Sequence, residues 1–261
     1  MLDTDSGNAV VVAIDHGQHG GVHEGFEDPG ATLDRVLGGD PDGIIAGVPF
    51  VRRFADRLPP ELTRIATVDL LANSTVPGES EGAEIHRRAF SVEEAARVGA
   101  DAIKTALVYG REDPAVLGDN LEFVADAAET ARARGLEAVV EPTLWGQRVG
   151  DELDAGRLEH ANRVGFEIGA DMLKSPYPGD PEAFAPIVEH APVPVLIAGG
   201  PATDSDEAAL EMVADAMDAG ARGVMIGRNV WQREDVPAMI RAVRAIVHEN
   251  ATAAAAAERL R

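Results

Sequence analysis

Residues 169–174 have the sequence Gly169-Ala170-Asp171-Met172-Leu173-Lys174, and the same pattern recurs as Gly99-Ala100-Asp101-Ala102-Ile103-Lys104. These stretches hold the only two lysines of the chain, which has 23 lysines and arginines together and therefore 21 arginines. Each lysine belongs to a short apolar run that predicts a buried β-strand. The repeat predicts two equivalent βα units, each of which presents one lysine from its strand.

Further apolar runs of strand length alternate with helical segments along the whole chain. Eight such runs, spaced by roughly 30 residues, predict a (β/α)8 TIM barrel that forms a single domain over residues 1–261. An open doubly wound sheet is the alternative, but the G-x-G-x-x-G motif usual after its first strand is absent here. The predicted strands cover residues 10–14, 42–47, 63–70, 101–107, 138–142, 172–174, 195–198 and 223–226.

Helices are predicted between these strands, together with two long loops. Ser91 and Glu94 have the spacing of a capping box, which predicts a helix start. The alanine-rich end of the last helix is expected to fray. The loops are predicted over residues 15–25, which are rich in glycine and histidine, and over residues 73–82. The other helices are predicted over about residues 30–37, 50–58, 120–134, 153–168, 181–189, 204–218 and 236–259.

Composition limits the classes of partner and compartment. The 261 residues include 45 acids and carry a formal net charge of −22, spread along the chain, which argues against nucleic acid and anionic membranes as partners. The absence of cysteine excludes disulfides, thiolate metal sites and a cysteine nucleophile. No signal peptide is recognised at the start, so a cytoplasmic protein is expected. The acidity and the scarcity of lysine suggest a halophilic protein; a GC-rich genome is the alternative explanation.

The two lysines suggest amine chemistry inside the barrel. Side chains from alternate strands share an interior layer, so Lys104 and Lys174 are expected to lie close together near the carboxyl ends of their strands. Mutual repulsion would lower the pKa of one lysine and free its amine to form a Schiff base with a carbonyl compound. Asp15 and Glu141 end other predicted strands and are candidates for acid–base catalysis, or for salt bridges that hold the lysines.

Three further side chains are weaker candidates for the proton relay. They are Tyr109 and Tyr177, the only tyrosines of the chain, and Thr143. Trp145 and Trp231 are expected to pack in the core or to line the pocket.

Glycines after the last two strands predict a phosphate site. Gly199 and Gly200 follow the seventh strand, and Gly227 and Arg228 follow the eighth, where many barrels bind phosphate. Glycine lets backbone N–H groups approach phosphate oxygens, and an arginine can donate paired hydrogen bonds to them.

Three histidines, His16, His19 and His23, follow the first strand in a glycine-rich segment. They suggest a metal site, a mobile lid, or contacts with substrate hydroxyls. Their spacing matches no zinc signature, so no metal and no cofactor are predicted. His16 is retained as a candidate for contacting the substrate.

Several motifs of the chain resemble those of class I aldolases of the (β/α)8 superfamily. Four stretches of this chain are similar to those of the archaeal-type fructose-bisphosphate aldolases and the 2-amino-3,7-dideoxy-hept-6-ulosonate synthases. The likeness extends over essentially the whole barrel. These stretches are Asp15-His16-Gly17, Asp171-Met172-Leu173-Lys174, Ala198-Gly199-Gly200-Pro201 and Gly227-Arg228-Asn229-Val230-Trp231-Gln232.

The middle of the chain departs from that group. After strand five those enzymes tend to have Trp-x-Tyr-Pro-Arg-Gly, whereas this chain has Glu141-Pro142-Thr143-Leu144-Trp145-Gly146, so the family tyrosine has no counterpart. Lys104 and the Glu141-Pro142 pair resemble instead the tagatose-bisphosphate and sulfofructose-phosphate aldolases. The resemblance implies that Lys174 is the Schiff-base lysine, Lys104 a second active-site lysine, Glu141 the proton-transfer carboxylate and Asp15 an orienting residue.

Together, residues and resemblance predict a class I aldolase that acts on a phosphorylated ketose, with a transaldolase- or thiolase-type reaction as a close variant. The expected partner is a small phosphorylated sugar, and a homo-oligomer is expected. Two alternatives stay open: a metal-dependent lyase or isomerase that uses the loop histidines, and a sugar-phosphate-binding barrel without catalysis.

Overall fold

The computed structural model describes residues 4–72, 74–79, 84–200 and 202–260, and within them eight parallel strands close into a barrel. Pairing of Ala9 with Gly223 joins the first and last strands of the circle. The (β/α)8 prediction is therefore confirmed. In chain order the strands are β1 (Ala9–Ala13), β2 (Gly43–Gly47), β3 (Thr63–Thr67), β4 (Asp69–Ala72), β5 (Ile85–Arg88), β6 (Ala102–Tyr109), β7 (Glu137–Leu144), β8 (Met172–Pro176), β9 (Val195–Ala198) and β10 (Gly223–Ile226).

Strands β4 and β5 stand apart from the barrel as an antiparallel hairpin between β3 and β6. The predicted strand over residues 63–70 is wrong over its last three residues, because the chain leaves the barrel at Val68, whose N–H donates to the carbonyl of Lys104. The loop predicted over residues 73–82 contains positions 73 and 80–82, which lie outside the described residues. Strand β5 was not predicted because three of its four residues are polar or charged.

Strands β6 and β7 are longer than predicted. They pair without interruption from Ala102 with Glu137 to Tyr109 with Leu144. Their last residues extend past the ends of β8 and β9, whose pairing with each other stops at Pro176 and Ala198. The two strands therefore form a wall along one side of the barrel opening.

The helices in the described residues follow the predicted alternation with several changes at their ends. Ser91 accepts a hydrogen bond from the N–H of Glu94, which confirms the N-terminal half of the capping box. A short helix lies within the predicted histidine loop, and the last predicted helix ends at Glu249. The helices are α1 (His16–Gly20), α2 (Pro29–Leu37), α3 (Val48–Arg53), α4 (Val92–Arg97), α5 (Pro114–Ala133), α6 (Ala155–Glu167), α7 (Pro181–Glu189), α8 (Asp206–Asp218), α9 (Arg228–Trp231), α10 (Val236–Glu249) and α11 (Ala253–Ala257).

The C-terminal segment is more ordered than the sequence suggested. Asn250 adopts a left-handed conformation, with φ of 56°, and this ends α10. The alanines that were expected to fray form α11, which is capped by Thr252 and has Ala256 buried. Among the described residues, none of the helices combines the length and the apolar composition that a membrane span requires.

The core has an inner and an outer part. Side chains that alternate along each strand point either into the barrel or toward the helices. The larger outer cluster packs strands against helices and includes Leu173, Phe184 and Trp231. The inner cluster consists of Ala9, Val11, Ala13, Ile45, Ile65, Ala102, Val139, Met172, Leu196 and Met225.

Candidate active site

Lys104, Glu141 and Lys174 lie on three adjacent strands, β6, β7 and β8. Each is two residues beyond a member of the inner cluster, so strand alternation turns its side chain into the barrel. Glu141 Oε2 lies 2.6 Å from Lys104 Nζ, and Glu141 Oε1 lies 2.8 Å from Lys174 Nζ. One buried carboxylate therefore bridges both lysines, and all three residues lie within their strands and not at the carboxyl ends that the sequence predicted.

Asp15 follows β1 and joins this cluster from across the barrel. Its Oδ2 accepts a hydrogen bond of 2.8 Å from the hydroxyl of Thr67 and lies 3.7 Å from Lys104 Nζ. His19 Nε2 is 3.8 Å from the same oxygen. Lys104 consequently has a carboxylate on two sides, and the four predicted catalytic residues are brought together in one buried group.

The pKa values of the group follow from this charge arrangement. Burial alone would raise the pKa of Glu141, but the two ammonium groups outweigh it and lower that pKa to about 2. Burial is likewise outweighed at Asp15, where Lys104 and the nearby imidazole of His19 hold the pKa well below its usual value. Burial disfavours charge on Lys104, yet Glu141, Asp15 and Asp69 raise its pKa. The expectation of a lowered lysine pKa is therefore wrong for Lys104, because carboxylates surround it.

Asp69 and His86 adjoin the lysine cluster and were not recognised from the sequence. Asp69 Oδ2 accepts hydrogen bonds from His86 Nε2 at 2.7 Å, from the hydroxyl of Thr105 at 3.0 Å and from the N–H of Ala106 at 2.7 Å. Both side chains are buried. The available signal was an aspartate inside an otherwise apolar run, residues 68–72, but its partner follows 17 positions later.

The predicted phosphate-binding residues lie at the carboxyl ends of the adjacent strands β9 and β10. The carbonyl of Gly199 accepts a hydrogen bond of 2.8 Å from Asn229 Nδ2, which ties the two loops together. Gly200 has φ of +61°, a conformation that favours glycine. Arg228 is partly buried, and burial lowers its pKa. Its Nε is buried without a hydrogen-bond partner among the described residues.

Gly227 is needed for close packing as well as for any backbone contact with a ligand. A Cβ atom at this position would lie 2.5 Å from His16 Cε1 and 2.7 Å from the carbonyl oxygen of Ala13. The same carbonyl accepts a hydrogen bond of 3.0 Å from Trp231 Nε1. A side chain at position 227 would therefore disturb the contact between the ends of β1 and β10.

The rings of His16 and His23 contact each other and both pack against Trp231, whereas His19 faces the β4–β5 hairpin. The ring of His16 packs edge-on against Trp231 with centroids 5.3 Å apart, and burial together with Lys174 lowers its pKa to about 4 despite the opposing effect of Asp15. His19 Nδ1 accepts a hydrogen bond from the N–H of Leu71.

In residues 4–72, 74–79, 84–200 and 202–260, no group of three or more His, Asp or Glu side chains is arranged to hold a metal ion.

A family model for the DeoC/LacD family aldolases matches residues 9–233, which spans every barrel strand and both loops of the predicted phosphate site. The chain belongs to the DeoC/LacD aldolase family. This aldolase is 35% identical over 259 residues to the 2-amino-3,7-dideoxy-D-threo-hept-6-ulosonate synthase of Halobacterium salinarum, with 99% of this chain and 93% of the relative covered. It is 34% identical over 254 residues to an uncharacterized aldolase of Saccharolobus solfataricus, with 95% and 92% covered.

A solved structure supports the same class of reaction. An archaeal fructose-1,6-bisphosphate aldolase, whose catalytic lysine is covalently bound to the carbinolamine intermediate of its substrate, is similar with a TM-score of 0.84. The sequences are 28% identical, and the likeness covers 95% of this chain and 96% of that one. The chain is a class I aldolase, an enzyme that makes or breaks carbon–carbon bonds through a lysine Schiff base.

The weaker relay candidates of this aldolase separate in the structure. Tyr177 packs against Phe184 of α7, with ring centroids 5.3 Å apart, and burial raises its pKa to about 12, so it belongs to the helix layer. Tyr109, at the end of β6, is half-buried and packs against the outer core. Thr143 alone of the three shares the strand face of Glu141, and its buried hydroxyl has no partner among the described residues.

The two tryptophans also differ. Trp231 is fully buried and forms part of the outer core, which confirms its predicted packing role. Trp145 follows the end of β7 and remains partly exposed.

Proposed function

We propose that this aldolase makes or breaks a carbon–carbon bond of a phosphorylated ketose, with Lys174 as the Schiff-base lysine. The observation that carries the proposal is the single carboxylate of Glu141 held between Lys174 and Lys104. A base and two amines in contact inside a buried barrel supply the groups that iminium chemistry requires.

The charges around the two lysines support Lys174 as the nucleophile. Lys104 has Glu141 and Asp15 within 4 Å, and the carboxylates around it keep it protonated. Among the described residues, Lys174 pairs with Glu141 alone. The ammonium of Lys104 then serves as the fixed cation, and Lys174 is the amine that loses its proton and attacks.

The proposed reaction proceeds through a covalent intermediate. The amine of Lys174 adds to the ketone carbon, and the carbinolamine loses water to give a protonated imine. Glu141 removes the proton from the hydroxyl beside the bond that breaks, and the bonding electron pair moves into the imine to form an enamine. Protonation and hydrolysis then release the second product. Lys104 and Asp15 hold Glu141 and the substrate in position.

The phosphate group is proposed to bind at the loops after β9 and β10. Backbone N–H groups of Gly199 and Gly200 and the guanidinium of Arg228 supply the donors. His16, which is neutral at pH 7, lies beside Gly227 and is proposed to contact a substrate hydroxyl. The similar archaeal enzyme is a fructose-1,6-bisphosphate aldolase, which supports a sugar-phosphate substrate for this chain.

Borohydride trapping tests the proposed function. The protein is incubated in high salt with fructose 1,6-bisphosphate, dihydroxyacetone phosphate or one of a panel of other ketose phosphates and 2-keto acids. It is then reduced with borohydride and analysed by intact mass and peptide mapping. A substrate-sized adduct on the peptide that contains Lys174 is expected. No adduct with any member of the panel would overturn the proposal and favour a sugar-phosphate-binding barrel without catalysis.

The working conditions of the protein are a further part of the proposal. The formal charge of −22 and the scarcity of lysine support a halophilic enzyme, and a cytoplasmic location is proposed with it. Copies of the chain are proposed to associate in solution. Both points are tested by measuring the unfolding midpoint and light scattering between 0.1 and 3 M salt. Over this range the electrostatic screening length falls from about 10 Å at 0.1 M to about 3 Å at 1 M.

A further inference from the structure

The β4–β5 hairpin leaves the barrel beside Lys104, and its buried side chains Asp69 and His86 meet there. We propose that Asp69 and His86 act as a brace that positions Lys104 and preserves its charge, with the hairpin serving to bring His86 to Asp69. The inference rests on the proposed role of Lys104 in catalysis. Asp69 and His86 are positioning residues, because they act on the substrate only through Lys104.

The brace first acts through the backbone of β6. Strand β3 pairs with β6 only as far as Thr67 and Lys104, after which Val68 N–H donates to the carbonyl of Lys104 at 3.1 Å. Beyond this point the carboxylate of Asp69 replaces the strand, because it accepts from the hydroxyl of Thr105 and the N–H of Ala106. On the side of β6 that faces away from β7, the backbone that follows Lys104 is therefore held in place by a side chain.

His86 holds that carboxylate. Its Nε2 donates to Asp69 Oδ2 at 2.7 Å, and its ring packs edge-on against Phe123 of α5, with centroids 6.3 Å apart. The side chains of Asp69 and His86 are 0% and 1% exposed. Since so little water reaches the pair, loss of the histidine would leave a buried carboxylate with fewer donors and a less fixed orientation.

The brace also acts through charge. Asp69 Oδ1 has no hydrogen-bond partner among the described residues, and the charge of Lys104 adds to the hydrogen bond with His86 in lowering the pKa of this buried carboxyl. In return the carboxylate favours the charged form of Lys104. The other titratable groups that face this region are Glu141 on β7, Asp15 after β1 and His19 on α1, which accepts from the hairpin N–H of Leu71.

A matched control exists at the opposite end of the barrel. Asp42, just before β2, accepts from Val10 N–H at 2.6 Å and from His248 Nε2 at 2.9 Å. This pair repeats the combination of one aspartate, one strand N–H and one histidine, far from the lysines, with Arg244 Nη1 as a further donor to Asp42 Oδ1 at 2.8 Å. The variants to compare are therefore Asp69→Asn, His86→Leu and His86→Gln, with Asp42→Asn and His248→Leu as controls.

The test measures kcat, KM and their pH dependence with the ketose phosphate that gives the Lys174 adduct, on variants shown by circular dichroism to be folded. For Asp69→Asn we expect kcat to fall about tenfold while KM changes by less than about threefold. Any change in the alkaline limb of kcat/KM should be toward lower pH, because removing a nearby carboxylate lowers the pKa of Lys104.

The histidine variants separate positioning from mere folding. His86→Leu should lower kcat, and His86→Gln, which keeps an N–H donor, should restore most of it. The control variants should lower only the unfolding midpoint. A folded Asp69→Asn variant that keeps the wild-type kcat and pH profile would overturn the brace. If Asp69→Asn does not fold, equal kcat values in His86→Leu and His86→Gln would overturn it. A wild-type protein without the Lys174 adduct would instead overturn the proposed function, and the brace with it.

Discussion

Oε1 of Glu141 lies 2.8 Å from Nζ of Lys174, across the neighbouring strands β7 and β8. The other oxygen of the same carboxylate contacts Lys104. Because both partners of Glu141 are cations and the group is buried, the carboxylate is ionised at any pH near neutrality. The contact places a base next to the proposed nucleophile before any substrate arrives.

Replacement of Lys174 should abolish the covalent chemistry. Lys174→Arg keeps a cation beside Glu141 but has no nucleophilic amine, so kcat should fall by more than about 10⁴-fold and borohydride should trap no adduct. Lys104→Arg is the matched control, and it should still form the adduct, although more slowly. Trapping that persisted in Lys174→Arg and disappeared in Lys104→Arg would reverse the assignment of the two lysines.

Glu141→Gln should keep the shape of the side chain at position 141 and remove its charge. The amide fills the same space but cannot accept the substrate proton, so kcat should fall by about 10² to 10⁴-fold. Adduct formation should continue, because the amine of Lys174 remains. Rapid-quench assays of adduct and product measure the two steps separately; an unchanged rate of product release would exclude Glu141 as the base.

The lowered pKa of Glu141 predicts a loss of stability in acid. The pKa is about 2 in the folded protein and 4.5 in the reference state, so the charged form stabilises the fold above pH 4.5. This contribution, on the order of 3 kcal/mol, should be lost as the pH falls from 4.5 toward 2. Urea unfolding at a series of pH values checks the sign. The free energy of unfolding of Glu141→Gln should change less over this interval than that of the wild type.

Arg228→Ala should weaken binding of the phosphate group. The loss of a charge-assisted hydrogen bond, worth about 1.5 to 3 kcal/mol, should raise KM by about 10- to 150-fold for a phosphorylated substrate. The KM for the corresponding unphosphorylated ketose should not change. Arg222→Ala is the control of equal charge, because Arg222 donates to the carbonyl of Gly7 at the other end of the barrel. Equal effects of the two variants would indicate a nonspecific charge effect.

Two glycine-to-alanine changes should have opposite effects on stability. In Gly227→Ala the new Cβ would lie 2.7 Å from the carbonyl oxygen of Ala13, and such overpacking costs about 1 to 3 kcal/mol. Gly118 lies exposed in α5, and a Cβ added there would have no other atom within 4 Å, so Gly118→Ala should stabilise the protein by about 0.4 to 1 kcal/mol. Thermal unfolding measures both, and a neutral Gly227→Ala would contradict the packing argument.

The sequence by itself determined the barrel and the residues of its lysine cluster. Apolar runs alternating with helical segments encode strand and helix locally, and strand alternation carries Lys104, Glu141 and Lys174 to the same inner face. Helix starts were equally local, as the hydrogen bond between Ser91 and the N–H of Glu94 illustrates. These features depend on residues close together in the chain, so a pattern in one dimension is enough to predict them.

Tertiary structure alone decided which charges share the cluster and in what protonation state. The sequence suggested repulsion between the lysines, but at Lys104 three carboxylates outweigh it. They belong to Asp15 after β1, Asp69 on β4 and Glu141 on β7, and their distances from Lys104 depend on how the barrel closes. The brace of Asp69 and His86 likewise depends on the hairpin folding back over β6. Electrostatic energies vary with separation and burial in three dimensions, and neither quantity is encoded in the spacing of residues along the chain.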